Sequence, residues 1–180
     1  ESIFENFVKL FIIQTQQLKQ GNPQEETTDI AEMIDEKNAQ RVMQWIEEAR
    51  NQGAKILLGG ERNKNYVAPT IITNTNNNMK VCAQEIFGPV VILEKYSDFN
   101  QAINFVNDSE FGLQAGIFSN DASEIKIAVN NIDAGGVVVN DVPTFRVDHM
   151  PYGGIKNSGL GREGVKYAMM DMLEAKILIQ

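Results

Sequence analysis

A chain of 180 residues that is 43% hydrophobic, 22% charged and 8% aromatic has enough apolar material for a folded core and too much for a disordered segment. Sixteen Lys and Arg against twenty-four Asp and Glu leave a net charge of −8, which repels phosphate backbones and anionic lipid and argues against nucleic acid as a partner. A lone cysteine, Cys82, excludes an internal disulfide and suits a reducing, cytoplasmic setting, and with a lone histidine, His149, it cannot build a tetrahedral zinc site.

Glu1 is followed at once by the amphipathic Ile3, Phe4, Phe7, Val8 and Phe11, with neither an initiator Met nor a signal peptide, so the chain is expected to begin mid-protein. Phe4, Phe7, Val8, Phe11, Ile12 and Leu18 recur at helical spacing and predict a helix over Ser2–Lys19, ended by Gly21-Asn22-Pro23. After a polar loop, Asp35 can cap a second helix whose stripe is Val42, Met43, Ile46 and Ala49, with Gly53 placed to end it. Lys55–Leu58 reads as a short strand. Val67–Thr73 reads as a second extended segment, set near a sheet edge because Pro69 cannot donate to a ladder. Asn74–Asn78 is a turn and Pro89–Tyr96 a stronger strand.

From there the pattern alternates: helix Asp98–Asn107, strand Ala115–Ser119, helix Asp121–Ile132, strand Gly136–Asn140. Strands separated by helices of this length need crossovers. The fold class expected is therefore α/β, a mainly parallel sheet with helices on both faces, in which the apolar run Val137-Val138-Val139 is a buried parallel strand. A glycine-containing loop then leads to a last helix, Val165–Leu173, and a last strand, Ala175–Ile179. No apolar run approaches the roughly 20 residues of a membrane span, so no membrane partner is expected.

Several motifs suggest chemistry that their context does not support. Gly159-Leu160-Gly161-Arg162-Glu163-Gly164 has GxGxxG spacing, but a polar loop precedes it and no βαβ unit follows, so it is not read as a dinucleotide fingerprint. Gly154 and Gly159 have the spacing of a phosphate loop, yet Leu160 and Gly161 stand where Lys and Ser or Thr belong. Val81, Ala83 and Gln84 offer Cys82 no base, which favours a structural thiol over a nucleophile. His149 is evenly balanced between a surface residue and a ligand contact.

Glu85-Ile86-Phe87-Gly88-Pro89 with Val90-Val91, then NDSEFGLQAGIF over 107–118, then PYGGIKNSGLGRE over 151–163, come in the order and spacing seen in the aldehyde dehydrogenase superfamily. The resemblance extends through DEKNAQRV over 35–42 and covers essentially the whole chain, which corresponds to the family's C-terminal portion. The wording GGVVVND and FRVDHMPYGG is most similar to members acting on small aldehydes, some bearing hydroxyl, phosphate or carboxylate groups. The sequence departs from the family at Ala31-Glu32, where Gly-Pro is common.

The resemblance implies a cysteine thiolate that attacks an aldehyde, hydride transfer to NAD or NADP, and hydrolysis of the thioester by water. It also implies that the nucleophile, the general-base Glu and the cofactor domain lie upstream, so that no catalytic residue is in this chain and the chain alone is inactive. Glu85 resembles the carboxylate that hydrogen-bonds the nicotinamide-side ribose, and Phe87 the aromatic beside the nicotinamide; outside the resemblance, Glu85 would cap a turn and Phe87 would be core. Tyr152 stands where the family usually has Phe and resembles the aromatic wall of the aldehyde entrance. Arg146 and His149, in the same loop, are the groups that can hydrogen-bond a polar aldehyde tail, against the alternative of a solvated loop. Gly153, Gly154, Gly159 and Gly161 are expected to serve turns or close approaches.

The organisation expected is a partial catalytic domain over 1–174 and a C-terminal strand over 175–180. Lys176–Ile179, with Met169 and Leu173 nearby, is expected to join subunits of a homo-oligomer, because a terminal strand with free N–H and C=O groups seeks a partner, against the alternative of an intrachain strand completing its own sheet. The alternative is a non-catalytic α/β interaction module or pseudoenzyme subunit.

Overall fold

In the computed structural model, which describes residues 1–180, the first helix, α1 (Phe4–Thr15), is shorter at both ends than its periodicity predicts. No side chain caps its start, and in its last turn the Thr15 hydroxyl donates to the Phe11 carbonyl at 2.8 Å. Only Val8 of α1 is buried. Asp35 caps α2 (Glu36–Asn51) as expected, its carboxylate accepting from the Asn38 N–H at 2.7 Å. Ala39, Val42, Ile46 and Ala49 form the buried stripe at helical spacing, and the chain leaves the helix through Gly53 at φ +102°.

That stripe covers a small sheet. β1 (Lys55–Leu58) leads into a hairpin of β2 (Arg62–Asn63) and β3 (Tyr66–Val67), then β4 (Thr70–Thr73), a one-turn helix α3 (Lys80–Ala83) and β5 (Val90–Ile92). β4 pairs antiparallel with β1 and parallel with β5, so it is the central strand of three. This corrects the expectation of an edge strand around Pro69. The ladder starts at Thr70, one residue past the proline, so no ladder N–H is missing and Thr70 donates its own to the Pro89 carbonyl at 2.8 Å. Ile71 and Ile72 are fully buried, and Ile72 joins Val42, Ile46, Val67 and Met79 in the core.

These elements form one unit, Glu1–Ser97; Asp98–Gln180 form a second. In the second, Asp98 and Asp121 cap α4 (Phe99–Asn107) and α5 (Ala122–Asn131) by accepting backbone N–H bonds at 2.9 and 2.7 Å. Between them run β6 (Phe111–Gly112) and β7 (Gln114–Ile117); after them come β8 (Gly136–Val139), β9 (Ile155–Lys156) and α6 (Val165–Asp171). β7 and β8 pair in parallel across the α5 crossover, and β6 and β9 pair antiparallel. The α/β class follows the sequence reading, and of the crossovers expected the one from β7 to β8 through α5 is formed, whereas β5 pairs with β4 and not with β7. Two strand pairings are parallel and three antiparallel, shared between one three-stranded and three two-stranded sheets.

The last strand expected, Ala175–Ile179, is not formed. Residues 173–180 belong to no helix or ladder, and Ile177, Leu178 and Ile179 are 83%, 83% and 88% exposed. An apolar run becomes a strand only where a neighbour satisfies its backbone groups, and no strand of this chain does so. No helix is long and apolar enough to cross a membrane.

Candidate functional site

In the first unit the candidate residues sit on the loop that joins α3 to β5. Phe87 has φ +44° and is 71% exposed, an unusual state for an aromatic. A non-glycine residue in this left-handed region costs roughly 1–2 kcal/mol, so its neighbours must hold it there. They do so from both sides. Ile86 packs against the core, and its carbonyl accepts from Arg41 Nη2 on α2 at 2.8 Å. Gly88 lies against Val42 of the same helix turn, so closely that a Cβ there would stand 3.0 Å from Val42 Cγ2. Pro89 is tied to β4 through the Thr70 N–H.

Glu85 is exposed on the same loop, two positions before Phe87. The loop therefore presents an acceptor-only carboxylate and an uncovered aromatic ring from a backbone clamped to helix and sheet. Such a pair can accept hydrogen bonds from hydroxyl groups and lie against a flat ring. Arg41 is the residue that sequence reasoning missed. Its spacing of four from Trp45 was legible, and the guanidinium does lie over that indole, 4.7 Å from the ring centroid. Its contact with Ile86, 45 residues away, was not.

Cys82 lies just before this loop, half-buried. Burial pushes its thiol up, with Glu94 acting the same way and a hydrogen bond with Thr75 opposing them. Those surroundings favour the protonated, inert thiol over a thiolate nucleophile.

In the second unit Tyr152, Arg146 and Glu163 come together. Tyr152 and Glu163 exchange backbone hydrogen bonds, Tyr152 N–H to Glu163 carbonyl at 3.1 Å and the reverse at 2.6 Å. The Arg146 guanidinium lies 4.3 Å from the Tyr152 ring centroid, with Nη2 3.0 Å from Glu163 Oε2. Stacking and pairing together orient an exposed cation against an aromatic wall. Glu163 stood inside a recognised motif but carried no role in the sequence reading. The turn that brings it back to Tyr152 passes through Gly161 at φ +68°, open to glycine at no steric cost. His149 is exposed and takes no part in the cluster.

A model of the aldehyde dehydrogenase family matches residues 1–178. The 3-sulfolactaldehyde dehydrogenase of Priestia aryabhattai is 49% identical over 178 residues, an alignment that takes in 99% of this chain and 37% of the relative. Among solved structures, aldehyde dehydrogenase 21 from Physcomitrella patens, in complex with the reaction product succinate, superimposes with a TM-score of 0.95 at 44% identity, over 100% of this chain and 37% of that one. Glyceraldehyde-3-phosphate dehydrogenase GapN from Methanocaldococcus jannaschii, complexed with NADP, does so with a TM-score of 0.90 at 41% identity, over 96% and 37%. The chain thus spans less than two fifths of the length of these relatives.

Proposed function

Because this chain belongs to the aldehyde dehydrogenase family, we propose that it is the C-terminal part of a cytoplasmic enzyme that oxidises an aldehyde to a carboxylic acid through a cysteine thiohemiacetal and thioester. The thiol and the general base come from residues outside these 180. NAD or NADP, bound at the Glu85 loop, supplies the hydride acceptor. Glu85 accepts hydrogen bonds from the ribose hydroxyls, and Phe87 packs beside the nicotinamide and limits its tilt.

Tyr152 walls the aldehyde entrance and shields the reacting carbon from stray water. Arg146, oriented by Tyr152 and Glu163, receives a polar or anionic tail, and His149 stands free in the same loop to add a hydrogen bond. Sulfolactaldehyde, lactaldehyde and glyceraldehyde 3-phosphate, for which relatives of this chain are named, are small hydroxylated aldehydes with and without an anionic group, which supports a small polar aldehyde as substrate. The exposed run Ile177-Leu178-Ile179 is the element that joins subunits of a homo-oligomer.

The observation that carries this reading is the clamped loop with Glu85 and Phe87 uncovered on it. Its test is Glu85→Gln in the full-length enzyme. Loss of a charge-assisted hydrogen bond worth roughly 1–3 kcal/mol should weaken cofactor binding or slow hydride transfer by about 5- to 150-fold. Unchanged cofactor affinity together with unchanged turnover would remove Glu85 from the site.

A further inference from the structure

Arg41 departs from the usual behaviour of a surface arginine. It forms no ion pair; its Nη2 donates to a backbone carbonyl, Ile86 O, at 2.8 Å, its guanidinium lies over Trp45, and its Nε points to Asn38 Oδ1 at 3.4 Å. Asn38 is itself fastened, its backbone and side-chain N–H groups both donating to Asp35 Oδ1, at 2.7 and 2.9 Å. The first turns of α2 thus form a chain of contacts from Asp35 through Asn38 and Arg41 to the Ile86 carbonyl. That carbonyl belongs to the peptide plane about which φ of Phe87 is measured. Holding it, while Gly88 is held against Val42, leaves Phe87 little freedom to relax out of φ +44°.

We propose that Arg41 is a positioning residue for the nicotinamide cofactor: its hydrogen bond to Ile86 keeps Phe87 in the left-handed conformation that turns the ring outward, beside Glu85. The proposal rests on the reading of the Glu85 loop as a cofactor contact. Arg41 touches neither cofactor nor substrate and acts only through the loop. A cation suits this task because a charge-assisted bond to the carbonyl outlasts a neutral one, and the flat guanidinium can donate and stack at the same time.

The test uses the full-length enzyme with Arg41→Met, Arg41→Gln, Arg41→Lys, Phe87→Ala and the pair Arg41→Met with Phe87→Ala. Binding of NAD+ and of NADP+ is measured by titration without aldehyde, alongside kcat and both KM values. Arg41→Met should raise the cofactor Kd and KM about tenfold, the size of a lost hydrogen bond from a charged donor, and leave the aldehyde KM unchanged. Arg41→Lys should recover most of that loss. In the Phe87→Ala background the effect of Arg41→Met should largely vanish, since the two act as one unit. If Arg41→Met does not fold, Arg41→Gln decides, with a several-fold rise expected.

Wild-type cofactor binding in the Met or Gln variant overturns the proposal, as do losses that add fully to those of Phe87→Ala or fall equally on both substrates. If Phe87→Ala and Glu85→Gln themselves leave cofactor binding untouched, the reading of the loop fails instead, and the proposal with it.

Discussion

Cys82 and Phe87 are five residues apart and have opposite fates. The cysteine is tucked beside Thr75 and Glu94, where burial holds the proton on sulfur; the phenylalanine stands in solvent, in a backbone conformation that costs energy. A half-buried thiol kept above its ordinary range should react slowly with iodoacetamide at pH 7.5, more slowly than free cysteine, and accelerate only at a pH higher than free cysteine needs. Mass spectrometry of the modified peptide over a pH series measures this. Rapid labelling at neutral pH would show a thiolate and reopen Cys82 as a nucleophile. Side-chain chemistry at this scale was legible for Cys82, whose neighbours in sequence include no base. The strained φ of Phe87 was not, because it is imposed by α2 and β4.

At the scale of elements, α2 shows how far local physics reaches. Its cap, buried stripe and glycine exit all follow from residues within a few positions of one another. The Asp35 carboxyl is held below the usual range, first by the Asn38 backbone N–H and then by the Asn38 side chain. Because its folded pKa lies below the unfolded one, its contribution to stability is present above the unfolded value and is lost as pH falls through the folded one. Asp35→Ala should therefore lower the urea midpoint at pH 7, and the gap to wild type should narrow below about pH 4. A gap that keeps its full size at pH 3, or no gap at pH 7, contradicts the capping role. The strands were harder to read. β2, β3, β6 and β9 are two residues long, too short for any alternation to register, and β4 was misjudged as an edge because a proline beside a ladder looks in sequence like a proline within one.

For the whole molecule, the C-terminal run matters most. Ile177, Leu178 and Ile179 are exposed, as are Met169 and Leu173 before them, and the run has no ladder within the chain. The proposed homo-oligomer interface rests on this exposed apolar surface and its unpaired backbone. Deleting Ile177–Gln180 from the full-length protein should lower the mass measured by light scattering at matched concentration, and an unchanged mass would rule out the proposed interface. By itself the sequence determined the α/β class, the helix starts at Asp35, Asp98 and Asp121, the apolar stripe of α2 and the two loops that carry the candidate residues, because caps, periodicity and turns are set by neighbours along the chain. Only the tertiary structure decided that Arg41 meets Ile86, that Glu163 returns to Tyr152 and Arg146, that β4 lies in the middle of its sheet and that the last residues find no strand. Each of those depends on a hydrogen bond or a stacked face between segments far apart in the chain, made or left unmade by the path of the fold rather than by any local preference.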